Sequence, residues 1–274
     1  MAEMAKLQTM RMFRVSGLFF RRITHIGMVC LFALGAGQTM ADSETNTVVG
    51  SLGKNFAQIR QRFQTETNNA EAAWQFGRAC YDMSTLQKDP SRQAEIAEQG
   101  IAACRAAIAL KPGSVQPHYY LGMNIGQVAD AKHSLSGLRL VKDVEREFLA
   151  AHALDEHFDY GGPDRNLGLL YEGAPAIISI GSRSKARQHL QKAVELAPDF
   201  PENQLNLIEA YLKWDYHTEA ERQLDELENM WVAARKKFTG DAWVLSWTDW
   251  NKRFESVKKK IGGNSKVIES PHSQ

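Results

Sequence analysis

Small and apolar residues recur at helical spacing along most of the chain, in an order that repeats four times. The small residue of the first helix in each copy is Gly77, Gly122, Gly168 and then Ile208, where the glycine is lost. These positions lie 45, 46 and 40 residues apart. A second apolar stretch follows each of them, so the pattern predicts four pairs of helices. Repeated helix pairs build an extended surface, which favours binding over catalysis.

The residues of these copies resemble the tetratricopeptide repeat (TPR), a helix-turn-helix unit of about 34 residues. The matching segments are 104–112 (CRAAIALKP), 120–122 (YLG), 166–171 (NLGLLY) and 192–198 (KAVELAP). In three copies the second helix runs 12 residues from its small residue to its stop: Gly100 to Pro112, Val144 to Glu156 and Ala186 to Pro198. Because the copies exceed the usual period, we expect 11, 10, 6 and 0 extra residues in the connections within successive pairs.

This resemblance covers roughly residues 70 to 230, and it implies an all-α, right-handed α-solenoid of about four helix pairs. We predict that the TPR-like domain spans residues 55–261. It begins with an amphipathic helix over residues 55–66, because Phe56, Ile59 and Phe63 share one face. Residues 262–274 are polar, so we expect a disordered tail.

A final helix after the fourth pair carries an aromatic face. Trp243, Trp247, Trp250 and Phe254 recur at i, i+4, i+7 and i+11. One interpretation is a terminal cap that buries these side chains against the last repeat, as solenoids require. The other is an exposed aromatic patch that docks a partner or a second subunit, which would make a homo-oligomer.

Residues 1–41 have the order of a secretory signal peptide. Arg21 and Arg22 precede an apolar run over 26–37, and a small-residue segment ends at Ala41. The apolar run is short for a membrane span. We therefore predict cleavage after Ala41, export to the periplasm of a Gram-negative bacterium, no stable membrane insertion, and a flexible segment over 42–54. A retained N-terminal anchor is the alternative.

The charge balance gives no reason to expect nucleic acid as a partner. Removing residues 1–41 takes away five basic residues and one acidic residue, which leaves 28 basic and 31 acidic residues and a formal charge of −3. Binding to nucleic acid or to an anionic membrane is driven by basic surfaces. We therefore expect another protein or an extended peptide as the partner.

Two cysteines, Cys80 and Cys104, remain after removal of the leader, one in each helix of the first pair. In an exported protein they could form a disulfide. Two buried thiols are equally expected from packing alone. The sequence leaves both interpretations open.

Searching the sequence for catalytic or cofactor motifs finds none. No helix carries two histidines and a glutamate at metal-ligand spacing, and no two cysteines are closely spaced. Gly161-Gly162 precedes a proline and lacks the lysine of a phosphate-binding loop. We therefore predict a protein that is not an enzyme and holds no cofactor or metal.

The candidates for partner binding are polar and aromatic residues in two places. Tyr160 and Arg165 belong to the segment joining the second and third copies, which also fits a turn with a capping role. In the binding interpretation they line a recess with Tyr171. The forked guanidinium of Arg165 would then bind a carboxylate of the partner. The first helices line the concave groove of a TPR solenoid, and there the further candidates are His118, Asn124, Gln204 and Asn206. Each of these could equally lie on a solvated helix face.

A narrower resemblance, over residues 150–210, is to the T-component family of TRAP transporters. Its most specific segment is 171–175 (YEGAP), together with Gly161-Gly162 and Ile180-Gly181. The resemblance implies an exported TPR-type protein that associates with periplasmic solute-binding proteins, as an oligomer enclosing a channel in some members. The chain lacks the lipidation cysteine of some relatives.

These observations lead to two hypotheses. The first is a periplasmic TPR scaffold that mediates protein–protein interaction through its concave groove. The alternative is an auxiliary T-component of a TRAP-type uptake system, which binds a small apolar or carboxylate ligand between its helices. The extended connections predicted for the first three repeats motivate the alternative.

Overall fold

The computed structural model describes residues 53–132, 135–176 and 179–268. The predicted leader and most of the predicted flexible segment lie outside these residues. The helices are α1 (53–65), α2 (Ala70–Thr85), α3 (Pro90–Leu110), α4 (Val115–Lys132), α5 (Leu135–Leu154), α6 (Phe158–Gly173), α7 (Arg183–Leu196), α8 (Pro201–Lys213), α9 (His217–Lys237) and α10 (Val244–Ile268). The described residues contain no β-strand.

The helices follow the predicted repeat. Each aligned small residue, from Gly77 to Ile208, lies on the first helix of a pair, and the second helices are α3, α5, α7 and α9. The all-α fold of TPR-like helix pairs, with a helix before it and a helix after it, is confirmed.

Short-range signals in the sequence explain where the helices begin and end. The Asn69 side chain accepts hydrogen bonds from the backbone N–H groups of Glu71 and Ala72, and Asp89 caps α3 in the same way. Proline occupies the first position of α3 and of α8, where its missing N–H group costs nothing. Three second helices end two residues before the stop positions of the repeat, at Leu110, Leu154 and Leu196.

The extra length of the early repeats lies elsewhere than predicted. The first pair is joined by only the four residues 86–89, and α3 has 21 residues. The second pair also consists of long helices, of 18 and 20 residues. Only α6 and α7 are joined by a long connection, over 174–182. The prediction of extended connections is therefore wrong for the first two pairs, because their additional residues continue the helices.

The chain divides into two compact units, whose described parts are residues 53–132 and 135–147 with 173–175 in the first, and residues 148–172 with 176 and 179–268 in the second. In the first unit, α2 and α3 supply the buried residues Phe76, Cys80, Ile96 and Ala103, against which α1 packs Phe56, Ile59 and Phe63. The predicted apolar face of α1 is thus confirmed. Both Cys80 and Cys104 are buried free thiols in the structure.

In the second unit the aromatic residues of the last helix pack inward. Trp243, Trp250 and Phe254 are buried, and the Trp250 and Phe200 rings meet edge to face with centroids 5.5 Å apart. This agrees with the capping interpretation. Trp243 precedes the helix, in a 3-10 turn over Asp241–Trp243. The helix itself continues to Ile268, beyond the end predicted at residue 261.

Candidate interaction and ligand sites

Arg165 was predicted to face a partner, and the structure places it wholly inside the second unit. Its guanidinium donates hydrogen bonds to the Asp159 carboxylate (2.8 Å), to the Asp159 and Tyr160 carbonyl oxygens (2.9 and 3.2 Å) and to Asn203 Oδ1 (2.8 Å). Because these bonds lie within the unit, the prediction of a partner-binding arginine is wrong. Arg165 is a structural residue.

The role of Arg165 follows from the backbone that it holds. Asp159, Tyr160 and Gly161 have φ angles of 51°, 58° and 72°, so three consecutive residues are left-handed. This conformation costs a residue with a Cβ roughly 1–2 kcal/mol, and glycine avoids the cost. Two of the carbonyls in this turn accept from the Arg165 guanidinium. Residues 159–161 therefore form a left-handed turn at the start of α6, as the alternative interpretation had it, and the buried arginine hydrogen-bonds to this turn.

The two tyrosines predicted beside Arg165 lie in different surroundings. Tyr160 stacks on Phe200 with ring centroids 4.5 Å apart, and burial, reinforced by the Asp159 carboxylate, raises the pKa of its hydroxyl. Tyr171 is buried on α6, where its ring stacks on the His189 ring and Lys185 Nζ lies 4.8 Å from its centroid. They do not form the predicted open recess with Arg165.

Three of the four candidates on the first helices are also buried. Asn124 Nδ2 donates to the carbonyl oxygens of Gly77 (2.9 Å) and Tyr120 (2.8 Å). Gln204 Nε2 donates to the Pro198 carbonyl, and Asn206 Oδ1 accepts from Arg253 at 2.6 Å. These bonds bind Asn124 to α2, Gln204 to the connection after α7 and Asn206 to α10, inside the protein. The prediction that Asn124, Gln204 and Asn206 line an open groove is therefore wrong.

His118 is the exception among these candidates. Its side chain is partly exposed on α4, and its Nδ1 lies 2.8 Å from Glu147 Oε2 on α5. This pair joins the two helices of the second repeat and leaves part of the imidazole accessible.

The first unit contains a recess that the sequence did not reveal. It lies between α3, α4 and α5 and has a volume of about 280 Å³. Four aliphatic side chains and one alanine form its floor, and four charged residues surround it. We call the apolar lining residues the floor (Ile101, Ala102, Ile125, Val128 and Leu140) and the charged lining residues the rim (Glu98, Arg105, Lys132 and Asp143).

The charged residues around this recess differ in whether they have an ion-pair partner. Lys132 Nζ lies 3.8 Å from Glu98 Oε1, and Asp143 Oδ1 accepts from Arg146 at 2.6 Å. Within the described part of the chain, Arg105 has no ion-pair partner, and its side chain is exposed. The recess therefore combines an apolar floor with one cation available to an incoming carboxylate.

The second unit brings together histidine and carboxylate side chains from three helices. Asp164 on α6 is only 1% exposed, and its Oδ2 and Oδ1 each lie 2.8 Å from an imidazole Nδ1, of His152 on α5 and His189 on α7. Glu156, in the connection after α5, completes a group in which ligand atoms of His152, Glu156 and Asp164 all lie within 4.8 Å of one another.

This cluster is not visible as a motif in the sequence, because its ligands lie on different helices. His152 and Asp164 are 12 residues apart, and His189 is 25 residues beyond Asp164. Only the position of Asp164 on a first helix was available from the sequence, and a buried aspartate there would need polar partners. Comparing polar residues on neighbouring helices of adjacent repeats would have found it.

No helix in the described residues is long and apolar enough to cross a membrane.

Comparison with known proteins supports the TPR fold. The chain is similar to TTC0263, a thermophilic TPR protein of Thermus thermophilus, with a TM-score of 0.54 and 17% identity over 81% of this chain and 98% of that one. It is also similar to MamA from Desulfovibrio magneticus RS-1, at 17% identity over 73% of this chain and 98% of that one. The TM-score of this second match is 0.48, too low to carry a structural argument. At such identities the similarity to TTC0263 concerns the fold alone.

Sequence comparison gives one partial match. Residues 42–159, less than half of the chain, match the family described as regulator of microtubule dynamics protein 1-3. No curated protein matches the chain. None of these similarities is to a TRAP T-component, so the narrower resemblance gains no support from them.

Proposed function

We propose that this chain is a non-enzymatic scaffold that binds a peptide segment of another protein in the recess between α3, α4 and α5. The observation that carries this proposal is an apolar floor bordered by charged side chains in a fold of helix pairs. Helix-pair repeats commonly present such surfaces to other proteins. This binding surface differs from the concave groove of first helices that the sequence predicts, because the residues lining the recess come from the second helices α3 and α5 as well as from α4.

The exposure of the recess favours a peptide over an enclosed small-molecule ligand. Small-molecule sites typically have volumes of roughly 300–1,000 Å³ and enclose most of the ligand. This recess, at about 280 Å³, lies at the lower edge of that range, and the exposed residues Glu98, Arg105 and Lys132 border it. An apolar side chain of a peptide can enter it while the peptide backbone remains outside.

The rim defines the chemistry expected next to that apolar anchor. Glu98 and Lys132 already lie within ion-pair distance of each other, whereas Arg105 is available. A guanidinium binds a carboxylate through two parallel hydrogen bonds. The expected ligand is therefore a peptide with a leucine-like anchor and an aspartate or glutamate close to it.

A display selection with the full-length chain tests this proposal. Random peptides are selected on the immobilised protein, and the affinities of the enriched peptides are measured by fluorescence anisotropy. We expect enrichment of acidic peptides with an apolar anchor. Ile101→Glu should weaken their binding by roughly tenfold or more, because a charge replaces part of the floor. Arg105→Glu should weaken binding of the same peptides and make it less sensitive to salt.

Leu110 supplies a matched control on the same helix. It is exposed, and it lies outside the recess. Leu110→Glu introduces the same charge and should leave peptide affinity unchanged. Equal losses in Ile101→Glu and Leu110→Glu, or the absence of any enriched sequence class, would remove the recess from the function.

The proposed location is the periplasm, after removal of residues 1–41. The residue order of the leader supports this location. N-terminal sequencing of protein from a periplasmic extract should give Asp42 first. A protein that retains residues before Ala41 would favour an anchored form.

Two other assignments make different predictions. The TRAP-type component would carry a small apolar or carboxylate ligand, but its motivation is weakened because the first two pairs lack extended connections. Native mass spectrometry would detect such a co-purifying ligand, and also a defined oligomer. The description of the matched family suggests a cytoskeletal partner. Co-sedimentation with purified microtubules would support that partner and contradict a periplasmic scaffold.

A further inference from the structure

We propose that His152, Glu156 and Asp164 form a binding site for a divalent transition-metal ion, with Zn²⁺ as the ion to test. Ligand atoms of these three side chains lie within 4.8 Å of one another. Imidazole nitrogen and carboxylate oxygen are ligands that zinc accepts in tetrahedral sites. The site lies within one compact unit and does not involve the recess.

The buried carboxylate of Asp164 favours a bound cation. Asp164 is 1% exposed, so its charge has lost nearly all of its water. Burying a carboxylate is costly unless a cation or strong donors compensate it. The groups at its two oxygens are the imidazoles of His152 and His189, each at 2.8 Å. A metal ion at one oxygen would place a positive charge next to this buried carboxylate.

The two histidines hold different oxygens of Asp164. His189 holds Asp164 Oδ1, which fixes the orientation of the carboxylate and leaves Oδ2 facing His152. Carboxylate ligands of metals are themselves commonly held by hydrogen bonds of this kind. His189 is therefore a positioning residue, and His152 is the ligand.

Admitting an ion requires the ligand atoms to shift. With metal–ligand bonds of about 2.1 Å and a tetrahedral angle, two ligand atoms lie about 3.4 Å apart. His152 Nδ1 and Asp164 Oδ2 are 2.8 Å apart, so this pair must open by about 0.6 Å. The Glu156 ligand atom lies within 4.8 Å of the other two, so it must close by up to about 1.4 Å. On binding, the Nδ1 lone pair faces the ion, and the imidazole carries its proton on the other ring nitrogen.

Glu156 is accessible to a metal ion from solvent, but it also lies close to a lysine. The Glu156 and His152 side chains are 38% and 35% exposed, so an ion can reach them from solvent and keep a water as fourth ligand. Lys192 Nζ lies 3.4 Å from Glu156 Oε2, and His157 Nε2 lies 3.8 Å from its other oxygen. The ammonium group of Lys192 therefore competes with the ion for Glu156.

Competition against a chromophoric zinc chelator, using the full-length chain, tests this site. We expect one Zn²⁺ per chain at this site. His152→Gln and Glu156→Gln should each raise the Kd for Zn²⁺ by roughly tenfold or more. Lys192→Gln should lower that Kd, because it removes the competing charge. All three side chains are at least a third exposed, so the variants should fold, and circular dichroism without metal verifies this.

His118→Gln is the matched control. This histidine is also 2.8 Å from a glutamate oxygen, but it has no third ligand close to it in the described residues. It should bind Zn²⁺ like the wild type. At the same zinc concentration, zinc should also raise the melting temperature of the wild type and of His118→Gln by more than that of Glu156→Gln. The proposal is overturned if the wild type does not compete with the chelator, or if Glu156→Gln binds Zn²⁺ as tightly as His118→Gln does.

Discussion

Arg253 on α10 donates a hydrogen bond from Nη1 to Glu202 Oε1 on α8 at a distance of 2.7 Å, and both side chains are buried. Glu209 accepts two further bonds from the same guanidinium, and Trp250 Nε1 donates to the second oxygen of Glu202. Burial by itself disfavours the charge on Arg253, but the carboxylates of Glu202 and Glu209 outweigh it and raise its pKa. The last helix is therefore fastened to α8 by a buried ionic network as well as by its aromatic face.

Removing this arginine should strongly destabilise the protein. Arg253→Met leaves the Glu202 and Glu209 charges without their partner, and we expect the free energy of unfolding to fall by about 3–5 kcal/mol. Chemical denaturation monitored by tryptophan fluorescence measures the change. Lys258→Met is the control on the same helix, because Lys258 forms an exposed pair with Glu228 and should have little effect. Similar losses in the two variants would show that the network does not stabilise the cap.

Gly77 and Cys104 should behave as a coupled pair. A Cβ added at Gly77 would lie 2.2 Å from Cys104 Sγ, so the glycine is required for the close approach of α2 and α3. Gly77→Ala should cost about 1–3 kcal/mol through overpacking. Cys104→Ala removes the opposing sulfur, and the double variant should be more stable than the sum of the two single effects predicts. Strictly additive free energies of unfolding would contradict the packing described.

Asp215 offers a test of backbone strain in the turn between α8 and α9. Its φ angle is 62°, and its side chain is exposed. Asp215→Gly should raise the free energy of unfolding by up to about 1 kcal/mol, because glycine adopts this conformation without steric cost. Asp215→Val should lower it, since β-branched residues fit this region poorly. Thermal unfolding of both variants measures the difference, and the opposite order would exclude strain at this position.

The buried cysteines should make the protein sensitive to alkali. Burial raises the pKa of Cys80 from 9.0 to about 12, and burial together with the Cys80 charge raises the pKa of Cys104 well above its usual value. Above pH 9 the unfolded chain loses these thiol protons while the folded chain retains them, so stability is lost as pH rises. For Cys80 the slope is about 1.4 kcal/mol per pH unit between pH 9 and 12. Denaturation curves should show a smaller slope in Cys80→Ala than in the wild type.

Thiol titration separates the two interpretations of these cysteines. In a Cys30→Ser background, both thiols should be unreactive in the native protein at pH 8 and reactive after denaturation without reductant, because both are buried. A denatured, unreduced sample without free thiols would show that Cys80 and Cys104 form a disulfide in the exported protein.

The fold was predictable because it depends on local patterns. Gly77, Gly122 and Gly168 identify close helix contacts, and Pro112 and Pro198 follow the ends of second helices, so spacing alone placed the pairs. The extended connections predicted within the first two pairs are wrong. Comparison with a repeat of about 34 residues assigns the additional residues to loops, whereas residues 90–110 continue as one helix.

The site residues were harder to predict because burial depends on neighbours distant in sequence. Arg165 bonds to Asn203, 38 residues away, and Arg253 bonds to Asn206, 47 residues away. A polar residue on a first helix looks the same in sequence whether it faces solvent or an adjacent helix. The recess near Ile101 escaped detection for a similar reason, since its floor combines side chains that each fit an ordinary core pattern.

The bond from Asn124 to the Gly77 carbonyl spans 47 residues and joins α4 to α2. Asn124 also lies against Gly100, where an added Cβ would be 2.4 Å from its Oδ1. During translation α2 and α3 emerge before α4 does. Until α4 has emerged, the Asn124 side chain does not fill the cleft beside Gly77 and Gly100. The smallest piece of nascent chain that can complete this part of the core therefore contains three helices, which is one helix more than a single repeat.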